Sequence, residues 1–161
     1  MKNIRILGVD PGYAIVGFGI LDYDGVRFTP VEYGAVLTEA GTPFPERLRA
    51  IYTDMEFIFQ KYSPDCMAIE RLYFNTNQKT AIDVAQARGV TVLSAAQRGI
   101  PISEYTPLQV KSSVTGYGKA EKQQVMEMTR QILGLAQIPK PDDAADALAI
   151  AICHGHSVRW S

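Results

Sequence analysis

Ile4-Arg5-Ile6-Leu7-Gly8-Val9-Asp10-Pro11-Gly12 decides how the rest of the chain is read. Residues 4–9 are apolar apart from Arg5, and Asp10-Pro11-Gly12 stops the run with turn chemistry. That pattern predicts a buried strand ending in a sharp turn. Asp10 then closes a strand, where an ionised carboxylate costs free energy unless it is paired or bound to a metal.

Working outward, residues 14–21 and 26–37 are extended and separated by turn residues at 22–25, so the first three strands read as an antiparallel meander. Apolar residues at 44, 48, 51, 52, 55, 58, 59 and 62 fall at spacings of three and four and define a helix face over 43–62. Ser63-Pro64-Asp65 breaks that helix, and a short buried strand at 66–69 ends at Glu70. Residues 71–77 read as a loop, 78–96 as a helix and 100–105 as a further strand. Thr106-Pro107-Leu108-Gln109 is a helix start, with threonine as cap, proline at the first position and glutamine at the capping-box position. Gly116-Tyr117-Gly118 reads as a plain turn or as a phosphate-cradling loop. Helices follow at about 120–133 and 142–154, divided by Pro139-Lys140-Pro141. The order β-β-β-α-β-α-β-α-α-α predicts an α/β fold with a mixed sheet flanked by helices.

Length and composition fit that reading. The chain has 161 residues, 47% hydrophobic and 20% charged, which excludes a disordered chain. Its two cysteines, Cys66 and Cys153, lack CxxC spacing, which excludes a disulfide scaffold or a cysteine zinc site. No apolar run is long enough to span a bilayer, and the N-terminus does not read as a signal peptide. A soluble, cytoplasmic protein is expected, with one domain over 1–161 and a short tail from about 157. The net charge is −1, but residues 71–130 hold eight basic and four acidic side chains. A basic middle beside an acidic remainder points to a face that attracts an anion, or to a mixed solvated surface.

The chemistry rests on acids. A crossover helix makes the strands ending at Asp10 and Glu70 parallel neighbours, so both carboxylates project at the edge where open α/β sheets bind ligands. Asp142-Asp143-Ala144-Ala145-Asp146 opens the last helix, and Asp146 shares a face with both Asp143 and Asp142. A bland alternative is an N-cap with first-turn acids complementing the helix dipole. If the groups converge, four carboxylates need a counter-charge. Hard oxygen ligands suit Mg²⁺ or Mn²⁺. Two such ions form the usual clamp for displacement at a phosphodiester. No nucleophilic triad is evident.

Four stretches carry a resemblance: Gly8-Val9-Asp10-Pro11-Gly12, Ala68-Ile69-Glu70-Arg71-Leu72-Tyr73-Phe74-Asn75, Gln86-Ala87-Arg88-Gly89-Val90 and Asp143-Ala144-Ala145-Asp146-Ala147-Leu148-Ala149. Together, in order over about residues 4–156, they resemble the RuvC family of Holliday-junction resolvases. The resemblance implies an RNase H-like fold with three antiparallel strands followed by two parallel ones. It implies a homodimer, Mg²⁺-dependent cleavage of four-way DNA junctions, two ions per subunit with Mn²⁺ as a substitute, and the branch-migration proteins RuvA and RuvB as partners. It makes Asp10, Glu70, Asp143 and Asp146 the catalytic and metal-binding acids and leaves Asp142 to the cap. Lys111 and Lys122 match basic residues near the DNA, and Phe74 and Arg88 join them as expected DNA contacts. Tyr73 stands where the family usually has a phenylalanine that enters the junction centre; a phenol can still stack.

Three other functions compete. An actin-like ATPase also starts with a strand, an aspartate and a glycine turn, but needs a second domain. A structural junction binder would not need four acids. A nuclease for RNA–DNA hybrids differs in substrate. Cys153-His154-Gly155-His156 reads as a helix end, where histidine suits the dipole, rather than as a metal site. Trp160 reads as part of a loose tail.

Overall fold

A computed structural model describes residues 3–12, 14–72 and 78–158. Tyr73, Phe74 and Trp160 therefore lie outside the described residues. The strands are β1 (Ile4–Asp10), β2 (Ile15–Tyr23), β3 (Phe28–Leu37), β4 (Cys66–Glu70) and β5 (Ile102–Tyr105). The helices are α1 (Phe44–Tyr62), α2 (Gln78–Gln97), α3 (Pro107–Thr115), α4 (Lys122–Leu133) and α5 (Asp142–Ser157). The strands form one sheet in the order β3-β2-β1-β4-β5. β1–β2 and β2–β3 pair antiparallel, and β1–β4 and β4–β5 pair parallel. The expected meander and crossover are both present.

β1 is the middle strand, which is why its sequence is apolar on both sides: Ile6, Leu7 and Val9 are wholly buried. Its one basic residue is answered locally. Arg5 faces Asp22 across the β1–β2 ladder, and its guanidinium donates to that carboxylate at 2.8 Å and to the Tyr62 carbonyl at 2.9 Å. Alternation along β1 divides the molecule into two layers. Ile6, with Leu21 and Ala68, meets the helices α3, α4 and α5. Leu7 and Val9, with Met67 and Ile69, meet Ile51, Met55 and Phe59 of α1 and Ala87 and Ala95 of α2.

The helix starts follow local chemistry. Thr106 Oγ1 accepts from the Gln109 amide at 3.1 Å, and the Gln109 side chain accepts from the Thr106 amide at 2.8 Å. The capping box is thus closed as the sequence predicts, and Gly116 ends α3 at φ 80°. The start of α5 differs from expectation. Pro141 is its N-cap residue and makes no side-chain cap bond, so Asp142 occupies the first helical position rather than the cap. Among the described residues no helix is long and apolar enough to cross a membrane.

Candidate active site

Asp10 and Glu70 end neighbouring parallel strands. The β1–β4 register pairs Gly8 with Ala68 and Val9 with Ile69, so the two carboxylates come one step further along, at the same edge. By alternation, both project to the side of Ile6 and Ala68, the layer that holds α5.

Glycines bring α5 onto that layer. Gly17 is the cross-strand partner of Asp10 on β2. A Cβ on Gly17 would sit 2.1 Å from the Asp143 carbonyl oxygen. One on Gly8 would sit 2.1 Å from the Ala147 carbonyl oxygen. The main chain of α5 therefore rests directly on the main chain of β1 and β2, and the alanines at 144, 145, 147 and 151, all buried, permit the approach. Asp143 lies over the residue paired with Asp10, and Asp146 lies one turn on.

The electrostatics record the crowding. Burial, then the charges of Asp146, Glu70 and Asp143, push the Asp10 carboxyl up to about 8. Hydrogen bonding between the two carboxyls also raises Asp10 and lowers Asp146. Burial also raises Asp146, and Lys122 opposes that shift. Glu70 is raised by burial and by Asp146, with Lys111 acting the other way. Lys122 is the nearest counter-charge. Its Nζ is 3.6 Å from Asp146 and 3.7 Å from Asp142. Burial lowers the Lys122 ammonium, but Asp146, Asp142 and Asp10 together outweigh it and raise its pKa.

Carboxylates held at raised pKa by one another fit a hard divalent cation, which would offset the charge that burial penalises. Among the described residues no three histidine, cysteine or carboxylate side chains close around a single ion position. Histidine is committed elsewhere: His154 Nδ1 is 2.7 Å from the Tyr105 hydroxyl, and His156 Nδ1 is 3.1 Å from Ser113 Oγ.

Two recesses meet at Glu70. One, of about 220 Å³, is lined by Asp10, Pro11, Glu70 and Arg71. The other, of about 490 Å³, runs between α3 and α4 and brings Glu70 and Asp146 together with Lys111, Lys119 and Lys122. Lys111 and Lys122 thus flank the acids. Lys119 escaped the sequence reading, although a lysine in the turn joining two lysine-bearing helices was a usable signal. Arg88 turns inward. Its guanidinium is 3.2 Å from Glu104, its Nε donates to the Glu70 carbonyl at 3.4 Å, and its side chain is only 16% exposed. It braces the strand end that carries Glu70.

A mixed sheet in this order, with strand-end acids beneath a helix that carries two more, defines an RNase H-like nuclease. The yeast mitochondrial Holliday junction resolvase shares the fold, with a TM-score of 0.70 at 14% identity over 94% of this chain and 78% of that one. The family model for crossover junction endodeoxyribonuclease RuvC matches residues 6–154. RuvC of Desulfitobacterium hafniense is 57% identical over 95% of this chain and 93% of its own length. RuvC of Brevibacillus brevis is 56% identical over 94% and 91%. The structure of Thermus thermophilus RuvC in complex with a Holliday junction substrate matches with a TM-score of 0.91 at 32% identity, covering 96% of this chain and 94% of that one. The chain belongs to the RuvC family of metal-dependent crossover junction endodeoxyribonucleases.

Proposed function

We propose that this protein resolves four-way DNA junctions by paired, symmetric nicks, with Asp10, Glu70, Asp143 and Asp146 as its catalytic acids. The observation that carries the reading is the seat of α5 on Gly17, which sets Asp143 and Asp146 beside the strand ends of Asp10 and Glu70. The four carboxylates are the hard oxygen donors that would hold two Mg²⁺ ions per subunit, or Mn²⁺ in their place. When bound, such ions supply Lewis acidity at the scissile phosphate and offset charge on the attacking and leaving oxygens.

The chain's own groups do the rest. Asp10, whose carboxyl burial and the neighbouring acids push up to about 8, would hold a cation as the carboxylate. Lys122, beside Asp146, and Lys111, on the Glu70 side of the cleft, would offer their ammonium groups to the DNA backbone. Arg88 holds the Glu70 main chain in place. Tyr73 and Phe74, on the segment after Glu70, are proposed to stack at the junction centre.

A two-fold dimer would present two such sites to a nearly two-fold junction. One face of α2 supports that geometry. Ile82, Gln86, Gly89 and Leu93 are exposed at helical spacing, Ile82 and Leu93 at 54% and 51%. Gly89 has open space beyond its Cα. RuvA and RuvB are proposed as the motor partners.

The deciding experiment incubates the protein with a labelled mobile four-way junction and Mg²⁺, beside EDTA and Asp10→Asn. Symmetric nicks that need both metal and Asp10, with binding retained in Asp10→Asn, are expected. The variant should lose at least about 10³-fold in cleavage rate, since it removes a ligand from the reacting centre. Tight binding without cleavage under any divalent ion would make the protein a structural junction binder instead.

A further inference from the structure

The larger recess extends well beyond the acids, and the cleavage reaction alone does not account for its far end. Its floor is apolar, formed by Val110, Val125 and Ile150, and its rim carries Lys111 from α3, Lys119 from the α3–α4 turn and Lys122 from α4. The volume of about 490 Å³ lies within the ordinary range for small-ligand sites. Lys122 is engaged with Asp142 and Asp146, and Lys111 acts on Glu70. Lys119 is exposed and lines the recess beside Glu121, and among the described residues no ion pair ties it to an acid of the cleavage site.

The turn that carries Lys119 is built rather than loose. Thr115 Oγ1 donates to the Lys111 carbonyl at 2.7 Å and accepts from the Tyr117 amide at 3.1 Å. The Ala120 amide donates to the Tyr117 carbonyl at 3.1 Å, and Ala120 itself is buried in the core. A Cβ on Gly118 would meet Leu108 Cδ1 at 2.7 Å and Ser112 Oγ at 3.0 Å, so the turn lies tight against α3. The backbone of Lys119 is thus held between a close approach and a buried anchor, at the lining of the recess.

An apolar floor beneath a cationic rim suits one unit of a nucleic-acid strand, with the carbon-rich face of deoxyribose inside and its phosphate at the edge. We propose that Lys119 binds the phosphate next to the one that is cut, and that the recess between α3 and α4 seats the sugar joining them. This rests on the reading of Glu70 and Asp146 as part of the cleavage centre. It adds a subsite that fixes the register of the strand in that centre.

The test couples protein and DNA changes. Lys119→Gln and Lys119→Arg are compared with the unaltered chain in single-turnover cleavage of a four-way junction. Binding is compared in the Asp10→Asn background over a range of salt. Lys119→Gln should lose roughly three- to ten-fold in junction affinity or cleavage rate, lower the salt slope of binding by about one, and be rescued by arginine. A neutral methylphosphonate is then placed at each phosphate flanking the cut. At one of the two positions it should weaken the unaltered chain and leave Lys119→Gln no worse. Fully additive losses at both positions, or an unchanged salt slope, would overturn the subsite. Failure of the unaltered chain to cleave would count against the acid centre, while the binding arm would still decide Lys119.

Discussion

At the scale of single residues, the site is an arrangement of charge held in deficit. Asp10 is the clearest case. Its carboxyl keeps a proton up to about pH 8 when folded, against an ordinary value of 3.8. The folded chain therefore binds more protons than the unfolded chain between those values. Stability contributed by this residue is complete below about pH 4 and declines as pH rises towards 8. In metal-free protein, Asp10→Asn should raise the melting temperature at pH 8 by about 3–6 °C and have little effect near pH 4. Calorimetry in EDTA at the two pH values checks this, and an equal gain at both would show that charge is not the cause. The same residue was legible in the sequence, because a carboxylate closing an apolar strand needs an explanation. Asp142 was not. Its assignment to the helix cap failed because Pro141 takes that place, and Asp142 instead joins Asp146 around Lys122. Arg88 shows the same limit, since a basic residue in a basic stretch gives no sign that its guanidinium pairs with Glu104.

At the scale of elements, local signals were read well and long-range contacts were not. The capping box at Thr106–Gln109 and the stop at Gly116 are written in neighbouring residues and appear as expected. Strand order followed from the crossover through α1. The close seat of α5 did not, because Gly8 and Gly17 are far in sequence from Ala147 and Asp143, and only the fold reveals what a Cβ would strike. Gly17→Ala provides the test at this scale. The added methyl must displace the first turn of α5, with an expected loss of about 1–3 kcal/mol of stability. Cleavage at saturating Mg²⁺ should fall by more than the unfolded fraction explains. A variant equally destabilised at the opposite layer, Ile51→Val, should keep its activity. If the two variants lose activity alike, the seat does not align the acids.

At the scale of the whole molecule, the sheet separates two tasks. One layer, of α3, α4 and α5, carries the acids and the lysines. The other, of α1 and α2, leaves Ile82, Gln86, Gly89 and Leu93 in an exposed row along α2. If the proposed dimer forms through that row, a charge placed there should act on assembly alone. Leu93→Glu is expected to sediment as a monomer at micromolar concentration, to keep its fold by circular dichroism, and to make single rather than paired nicks. A stable dimer with paired nicks would move the two-fold axis elsewhere. The near-neutral total charge gave no hint of a DNA partner, because the lysines and the acids line the same recess and cancel in the sum.

The contact of α5 with the sheet also bears on how such a centre is inherited and how it could be moved. Side chains change by substitution, but main-chain atoms do not. A centre aligned by one backbone lying on another is insulated from drift through the remaining core, provided that two positions stay free of a side chain. Grafting these acids onto a foreign sheet would accordingly begin with the bare positions beneath the helix, and the acids would come second.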